Sequence, residues 1–200
     1  MEYIRPACEQ DLPYFYEISL KTSLSGLDGT DYFNDPYCVG HYYAAPYLFF
    51  EPSLCFIALD EYNKPSGYIV GTSDTKNFTS WMNSHWLPPL KEQYERITDF
   101  KSEAEASIIK LLCKGPGEGV WEHVGYPAHL HINLLPHLQG KGLGKSLMIT
   151  FSEAIHAKGV EGIHLGVDGR NTQAFGFYEK MGFSILEQPQ WGSVFGKKLN

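Results

Sequence analysis

Apolar positions along the 200-residue chain change period several times, and each change marks a predicted element. Residues 3–5 read as a short edge strand. Residues 9–21 carry Leu12, Phe15, Tyr16, Ile18 and Leu20 at helical spacings, and residues 26–35, rich in Gly, Asp and Asn, read as a loop. Asp35-Pro36 offers a cap followed by proline at the first helical position, which predicts one aromatic-rich helix over 36–50. Residues 54–60 and 67–72 are strands joined by a turn at 61–66, a hairpin. Trp81, Trp86 and Tyr94 surround a Pro88-Pro89 break, so residues 74–114 predict two helical pieces. A short strand is expected over 121–124 and a firmer one over 128–135. In the latter, Ala128, Leu130, Ile132 and Leu134 share one face and His129, His131 and Asn133 the other, because strand side chains alternate. Leu143, Leu147, Met148, Phe151, Ala154 and Ile155 then mark a helix that Gly159 closes. A strand at 162–167, a helix opening at Asn171 and closing strands at 183–186 and 193–199 complete the chain. Strands alternating with helices around one sheet predict an α/β architecture.

Between the 128–135 strand and the helix that follows lies a turn with three glycines in five residues, Gly140, Gly142 and Gly144. Such a turn at a helix start leaves backbone N–H groups unpaired and uncovered, and the helix dipole adds positive potential. A phosphate or pyrophosphate is the expected guest. A Walker A loop would need glycine five residues before Gly144, where Gln139 stands, and the G-x-G-x-x-G fingerprint puts its third glycine on Lys145. The spacing Gln-x-x-Gly-x-Gly is met by Gln139, Gly142 and Gly144. About 30 residues on, Asn171-x-x-Ala174-x-x-Phe177-Tyr178-x-Lys180-x-Gly182-Phe183 forms a second motif, in which Asn171 is a suitable N-cap and Gly182 a suitable residue beyond the C-terminus.

In these two motifs the chain resembles the GNAT N-acetyltransferase superfamily. The resemblance implies a GNAT fold, a central mixed and mostly antiparallel twisted sheet flanked by helices, spanning residues 1–200 as one domain, with 74–114 a helical insertion on the acceptor side. It implies acetyl-CoA as co-substrate and transfer of acetyl to a primary amine by direct attack in a ternary complex. By position, Ile132, Asn133 and Leu134 would bind the pantetheine arm with their backbone, and the N–H groups of Gln139, Gly140, Lys141, Gly142, Leu143, Gly144 and Lys145 the pyrophosphate. Lys141 and Lys145 either add charge there or are solvated helix-start residues. Asn171 and Tyr178 complete the expected cofactor contacts. A narrower resemblance, carried by Tyr3-Ile4-Arg5-Pro6, Asp28-Gly29-Thr30, Ala45-Pro46-Tyr47-Leu48, Trp86-Leu87-Pro88-Pro89-Leu90 and the run from His129 to Pro136, is to the acetyltransferase-like domain of O-GlcNAcases and its free-standing bacterial relatives.

Acetyl transfer needs a neutral amine, a stabilised oxyanion and a proton for the departing thiolate. Tyr178 holds the family position of the thiolate acid; the alternative is a core tyrosine beside Phe177. The glutamate that some superfamily members carry before the loop is Ala128 here, so His131 and His129 are the base candidates, against a reading in which both are structural. Glu122, His123, His164 and Asp168 are fallbacks. A His-x-His pair could bind metal, but no third ligand is identifiable, and none is expected.

Charge narrows the partners. Sixteen basic and 23 acidic residues give −7, which argues against nucleic acid and gives no membrane attraction, and no apolar run reaches membrane-spanning length. A soluble, cytoplasmic monomer or homodimer acting on a small-molecule or protein amine is the expectation. Cys8, Cys38, Cys55 and Cys113 show no C-x-x-C spacing and read as buried reduced thiols. The rival to an enzyme is a non-catalytic acyl-CoA-binding domain.

Overall fold

The structure, a computed structural model, describes residues 3–117 and 123–199. Seven strands form one sheet in the order β1-β2-β3-β4-β5-β7-β6. They are β1 (Tyr3–Pro6), β2 (Phe56–Leu59), β3 (Pro65–Thr72), β4 (Ala128–Leu134), β5 (Gly162–Asp168), β6 (Ser184–Glu187) and β7 (Gly192–Lys198). Neighbours are antiparallel except β4 and β5, which run parallel. The mixed, mostly antiparallel GNAT sheet expected from the sequence is what forms.

Each face of the sheet carries its own core. On one face α7 (Leu143–Ala157) and α8 (Thr172–Lys180) cover Ile69, Leu130, Ile163 and Phe195, with Leu147, Met148, Phe151 and Ile155 of α7 fully buried. Each such side chain contributes roughly 1.5–3 kcal/mol of burial free energy. On the other face lie α1 (Leu12–Lys21), α2 (Cys38–Tyr43), α3 (Ala45–Phe50), α4 (Thr75–Trp81), α5 (Leu87–Tyr94) and α6 (Glu103–Lys114), burying Phe15, Ile18, Tyr47, Tyr68 and Val70. β3 is buried at all eight positions, sending Tyr68 and Val70 to one core and Ile69 to the other.

Three local expectations are corrected, and a fourth falls partly outside the described residues. The predicted helix over 36–50 is two, α2 and α3, broken at Ala44 (φ −136°, ψ −59°). Pro46 has no N–H to continue the ladder, and its ring would collide with the carbonyl four residues back. The segment 74–114 holds three helices, and Pro88 and Pro89 lie in the first turn of α5 instead of forming a break. A π-helical turn, Met82–Trp86, joins α4 to α5, and this wider turn absorbs the mismatch that the prolines create. For the strand expected at 121–124, Trp121 and Glu122 lie outside the described residues, and His123 forms an isolated bridge to Tyr126. Cys38 and Cys55 are buried but Cys8 is exposed and Cys113 half-buried; all four are free thiols.

Candidate functional site

β4 pairs with β3 at six positions, from Thr72↔His129 to Gly67↔Leu134. With β5 it pairs only at Ala128↔Ile163 and His129↔His164. Beyond His129 the two parallel strands part, so β4 presents an open backbone edge. The N–H of Leu135 donates to Ser66 O at 2.9 Å, which fixes the parity of the β3–β4 ladder. Odd positions of β4 therefore turn their peptide groups to β3, and Leu130, Ile132 and Leu134 turn theirs to the open edge. Asn133, grouped at the sequence level with Ile132 and Leu134 as a backbone binder, instead faces Tyr68 across the ladder, and its side chain donates to Thr22 Oγ1.

The glycine turn closes one end of this wedge. A 3-10 turn, Pro136–Leu138, leads out of β4, and the Gln139 side chain donates from Nε2 to Leu134 O at 3.0 Å, pinning the turn to the strand. The Gln139 N–H is already given to Pro136 O at 3.1 Å, so Gln139 supports the turn and leaves the anion-facing amides to its neighbours. Gly140 (φ +74°) and Gly142 (φ +85°) are left-handed, with nothing within 4 Å of an added Cβ. Conformation, not space, requires them. Gly144 is needed for the opposite reason, since its Cβ would lie 3.2 Å from Leu134 Cδ1 and 3.5 Å from the Phe177 ring. Among the described residues the amides of Gly140, Gly142, Leu143, Gly144 and Lys145 have no acceptor, and they sit at the positive end of the 15-residue α7. Lys145 is exposed beside them.

His129 and His131 project from the polar face of β4 beneath α3 and α4. Tyr47 Oη lies 2.7 Å from His129 Nε2 and 3.1 Å from His131 Nε2. His129 Nδ1 lies 2.8 Å from Thr75 Oγ1, and Thr75 Oγ1 donates to Pro127 O at 2.6 Å. Counting protons orients the whole chain. Thr75 has one hydroxyl proton, given to Pro127 O, so it accepts from His129 Nδ1–H. His129 Nε2 is then a lone pair that accepts from Tyr47 O–H, and Tyr47 accepts from His131 Nε2–H. His131 Nδ1 is left with a lone pair and no hydrogen-bond partner among the described residues. Burial pushes His131 down to about 4 and His129 well below the usual histidine range, and raises the Tyr47 phenol well above its own. This hydrogen-bonded row of side chains is uncharged at pH 7.

Of the fallback candidates, Glu122 lies outside the described residues. His164, on β5, donates from Nδ1 to Tyr126 O at 2.8 Å, its Nε2 is buried with no hydrogen-bond partner among the described residues, and burial lowers it to about 4. His123 stands 3.5 Å from Glu187, with its ring 4.8 Å from that of His164. Asp168, at the end of β5, is held by Arg170 Nε at 2.9 Å and Nη2 at 2.8 Å, which keep its carboxyl below the usual range. Among the described residues no cluster of three or more His, Cys, Asp or Glu side chains is arranged to hold a metal.

Tyr178 packs in the opposite core, its ring 5.3 Å from Phe177 and 5.8 Å from Phe195. Burial raises its phenol, so it stays protonated, and its hydroxyl has no hydrogen-bond partner among the described residues. Asn171 caps α8, its side chain accepting from Ala174 N–H at 3.3 Å. A cavity of about 540 Å³ spans the wedge, bounded by His129, Leu130 and His131 on β4, by His164, Leu165 and Gly166 on β5, and by rings from α2, α3, α4 and the turn before β7. Sequence reasoning missed Tyr47 and Thr75 as members of the site. The available signal was that a buried tyrosine requires a hydrogen-bond partner and that the His-x-His strand face offers one.

A half-open parallel strand pair with a cavity between its strands, and a glycine turn feeding a helix N-terminus at the end of the open strand, are the features of an acetyltransferase of the GNAT class. Residues 107–185 match the family model described as Acetyltransferase (GNAT) domain. The solved structure of SsHAT is 35% identical, with 98% of each chain covered and a TM-score of 0.90. The chain belongs to the GNAT superfamily. A phosphinothricin acetyltransferase from Sinorhizobium meliloti, solved in complex with AcCoA, shares the fold at 16% identity, with a TM-score of 0.60 over all of this chain and 89% of that one. Protein O-GlcNAcase of Rattus norvegicus is 24% identical over 202 residues, which is 98% of this chain and 22% of that protein. The chain thus spans about a fifth of the length of the O-GlcNAcases it matches.

Proposed function

We propose that the chain is an acetyl-CoA-dependent N-acetyltransferase that moves the acetyl group to a primary amine by direct attack in a ternary complex. The observation that carries this reading is the convergence of three parts on one wedge: the open edge of β4, the unpaired amides at the start of α7, and the lone pair of His131 Nδ1. The amides from Gly140 to Lys145 hold the pyrophosphate, and the peptide groups of Ile132 and Leu134 hold the pantetheine arm, bringing the thioester between β4 and β5. His131 Nδ1 accepts the proton that the amine nitrogen sheds as the C–N bond forms and the C–S bond breaks. Tyr178 gives its phenolic proton to the departing thiolate. His129 acts through Tyr47 by fixing the orientation and tautomer of His131. A free lone pair on a held imidazole favours this reading over a domain that merely binds acyl-CoA.

The test is calorimetric titration with acetyl-CoA, with ATP alongside, followed by thiol release in the presence of amines. Acetyl-CoA is expected to bind in the micromolar range and ATP to give no heat. For Tyr178→Phe, kcat should fall about 10²-fold while acetyl-CoA affinity is retained, consistent with general-acid contributions of that order. Unchanged kcat removes Tyr178 as the acid; absent acetyl-CoA binding removes the whole reading.

A further inference from the structure

Away from the histidines of β4 and β5, the cavity lining includes rings and apolar chains: Tyr43, Phe78, Met82, Leu111 and Trp191. Its carboxylate, Asp168, stands at the rim already neutralised by the two-pronged contact with Arg170. The groups facing His131 are the Tyr47 hydroxyl, the Tyr43 ring with its centroid 5.2 Å away, and the His129 imidazole with its centroid 6.0 Å away, with His164 beyond. A cation entering here would give up its water for neutral imidazoles and ring faces, and what a ring face returns falls short of the cost of burying a charge, with no unpaired anion among the described lining residues to meet it. We propose that the acceptor is a weakly basic primary amine on a flat apolar body, of the arylamine class, and not an alkylammonium such as a polyamine or a lysine side chain. The inference rests on the transferase reading above and narrows it.

The chemistry of the proton points the same way as the walls. An alkylammonium with a pKa near 10 must lose a proton before it can attack, and an imidazole that burial holds well below the usual histidine range does not take it, so only the small neutral fraction present at pH 7 can react. An amine whose lone pair is delocalised into a ring arrives neutral at pH 7. It sheds a proton only after the C–N bond has begun to form, when the nitrogen is far more acidic and His131 suffices. A cavity of about 540 Å³ holds such a ring together with the acetyl thioester end.

p-Toluidine and benzylamine are isomers of the same size and apolarity that differ in the basicity of the nitrogen. Thiol release from acetyl-CoA by the whole chain at pH 7.5 should give a kcat/KM at least 100-fold higher for p-toluidine than for benzylamine, with spermidine and a lysine-containing peptide lower still. From pH 6.5 to 9 the p-toluidine rate should stay nearly flat. Equal rates for the isomers, or a preference for benzylamine, spermidine or the peptide, overturn the inference and leave the transferase reading standing. Acetyl-CoA binding without turnover of any of the four overturns both.

Discussion

Tyr47 is fully buried, stacks on Phe78 with ring centroids 4.3 Å apart, and sends its hydroxyl between two histidines. The ring and the hydroxyl can therefore be separated by experiment. Tyr47→Phe keeps the stack and the volume but leaves His129 Nε2 and His131 Nε2–H without partners, at about 1–3 kcal/mol of stability for the buried groups. It also frees His131 to adopt the other tautomer, whose Nδ1–H cannot accept a proton. The expected outcome is a 10- to 100-fold lower kcat with acetyl-CoA affinity unchanged. If Tyr47 only packs, stability falls and kcat does not. Thr75→Val offers a second check, because it removes the acceptor that holds His129 Nδ1–H while approximately conserving shape. A smaller loss of kcat is expected there, since three hydrogen bonds separate Thr75 from the imidazole that carries the free lone pair.

At the scale of the element, the turn between β4 and α7 uses its glycines for different ends, and substitution should resolve them. Gly142→Ala meets nothing within 4 Å, but a Cβ at φ +85° is strained by about 1 kcal/mol. The strain is relieved by rotating the peptide groups that would face the pyrophosphate. Acetyl-CoA affinity should fall about tenfold, with a melting temperature within a few degrees of the parent. Gly144→Val has ordinary helical backbone available but forces side-chain atoms into Leu134 and Phe177, where α7 abuts β4 and α8. Overpacking of that kind costs about 1–3 kcal/mol, so the melting temperature should drop clearly. Thermal melts and calorimetry on the two variants would show whether affinity and stability separate in this way. Equal effects on both quantities would mean that the turn acts as one rigid packing unit.

For the whole molecule, the buried histidines make stability depend on pH. His131 and His164 are held at about 4, against 6.5 in an unfolded chain, and burial is the leading cause in both. Between those values the unfolded chain binds the additional proton, so stability rises with pH from about 4 to 6.5 and is level above. Each group accounts for roughly 3 kcal/mol that is present at pH 7 and lost by pH 4, before relaxation lowers the figure. Urea midpoints should therefore begin to fall near pH 6.5, above the range where carboxylates titrate. His164→Asn should shallow the slope between pH 6.5 and 5. A midpoint that stays level down to pH 5 would show that these rings reach water.

Local rules carried much of this protein. Residue periodicity placed β1 to β7 and α7 and α8 close to where they form, and glycine spacing placed the anion-binding turn, because side-chain alternation, capping and the conformational needs of glycine act over a few residues. The amino-acid order alone also put His129 and His131 on one strand face. It did not say what they face. Tyr47 is 82 and 84 residues from its two histidines in the chain, and Thr75 is 54 from His129, so the hydrogen bonds that orient His131 exist only once α3 and α4 are laid over β4. The same packing turns Asn133 away from the wedge and lets the π turn carry α4 into α5 past two prolines. Sequence set the inventory of chemical groups and the local shapes that hold them. The direction of each proton, the parting of β4 from β5 and the apolar walls of the cavity were decided by tertiary contacts, because each needs groups that only the assembled sheet and its helices bring within hydrogen-bonding distance.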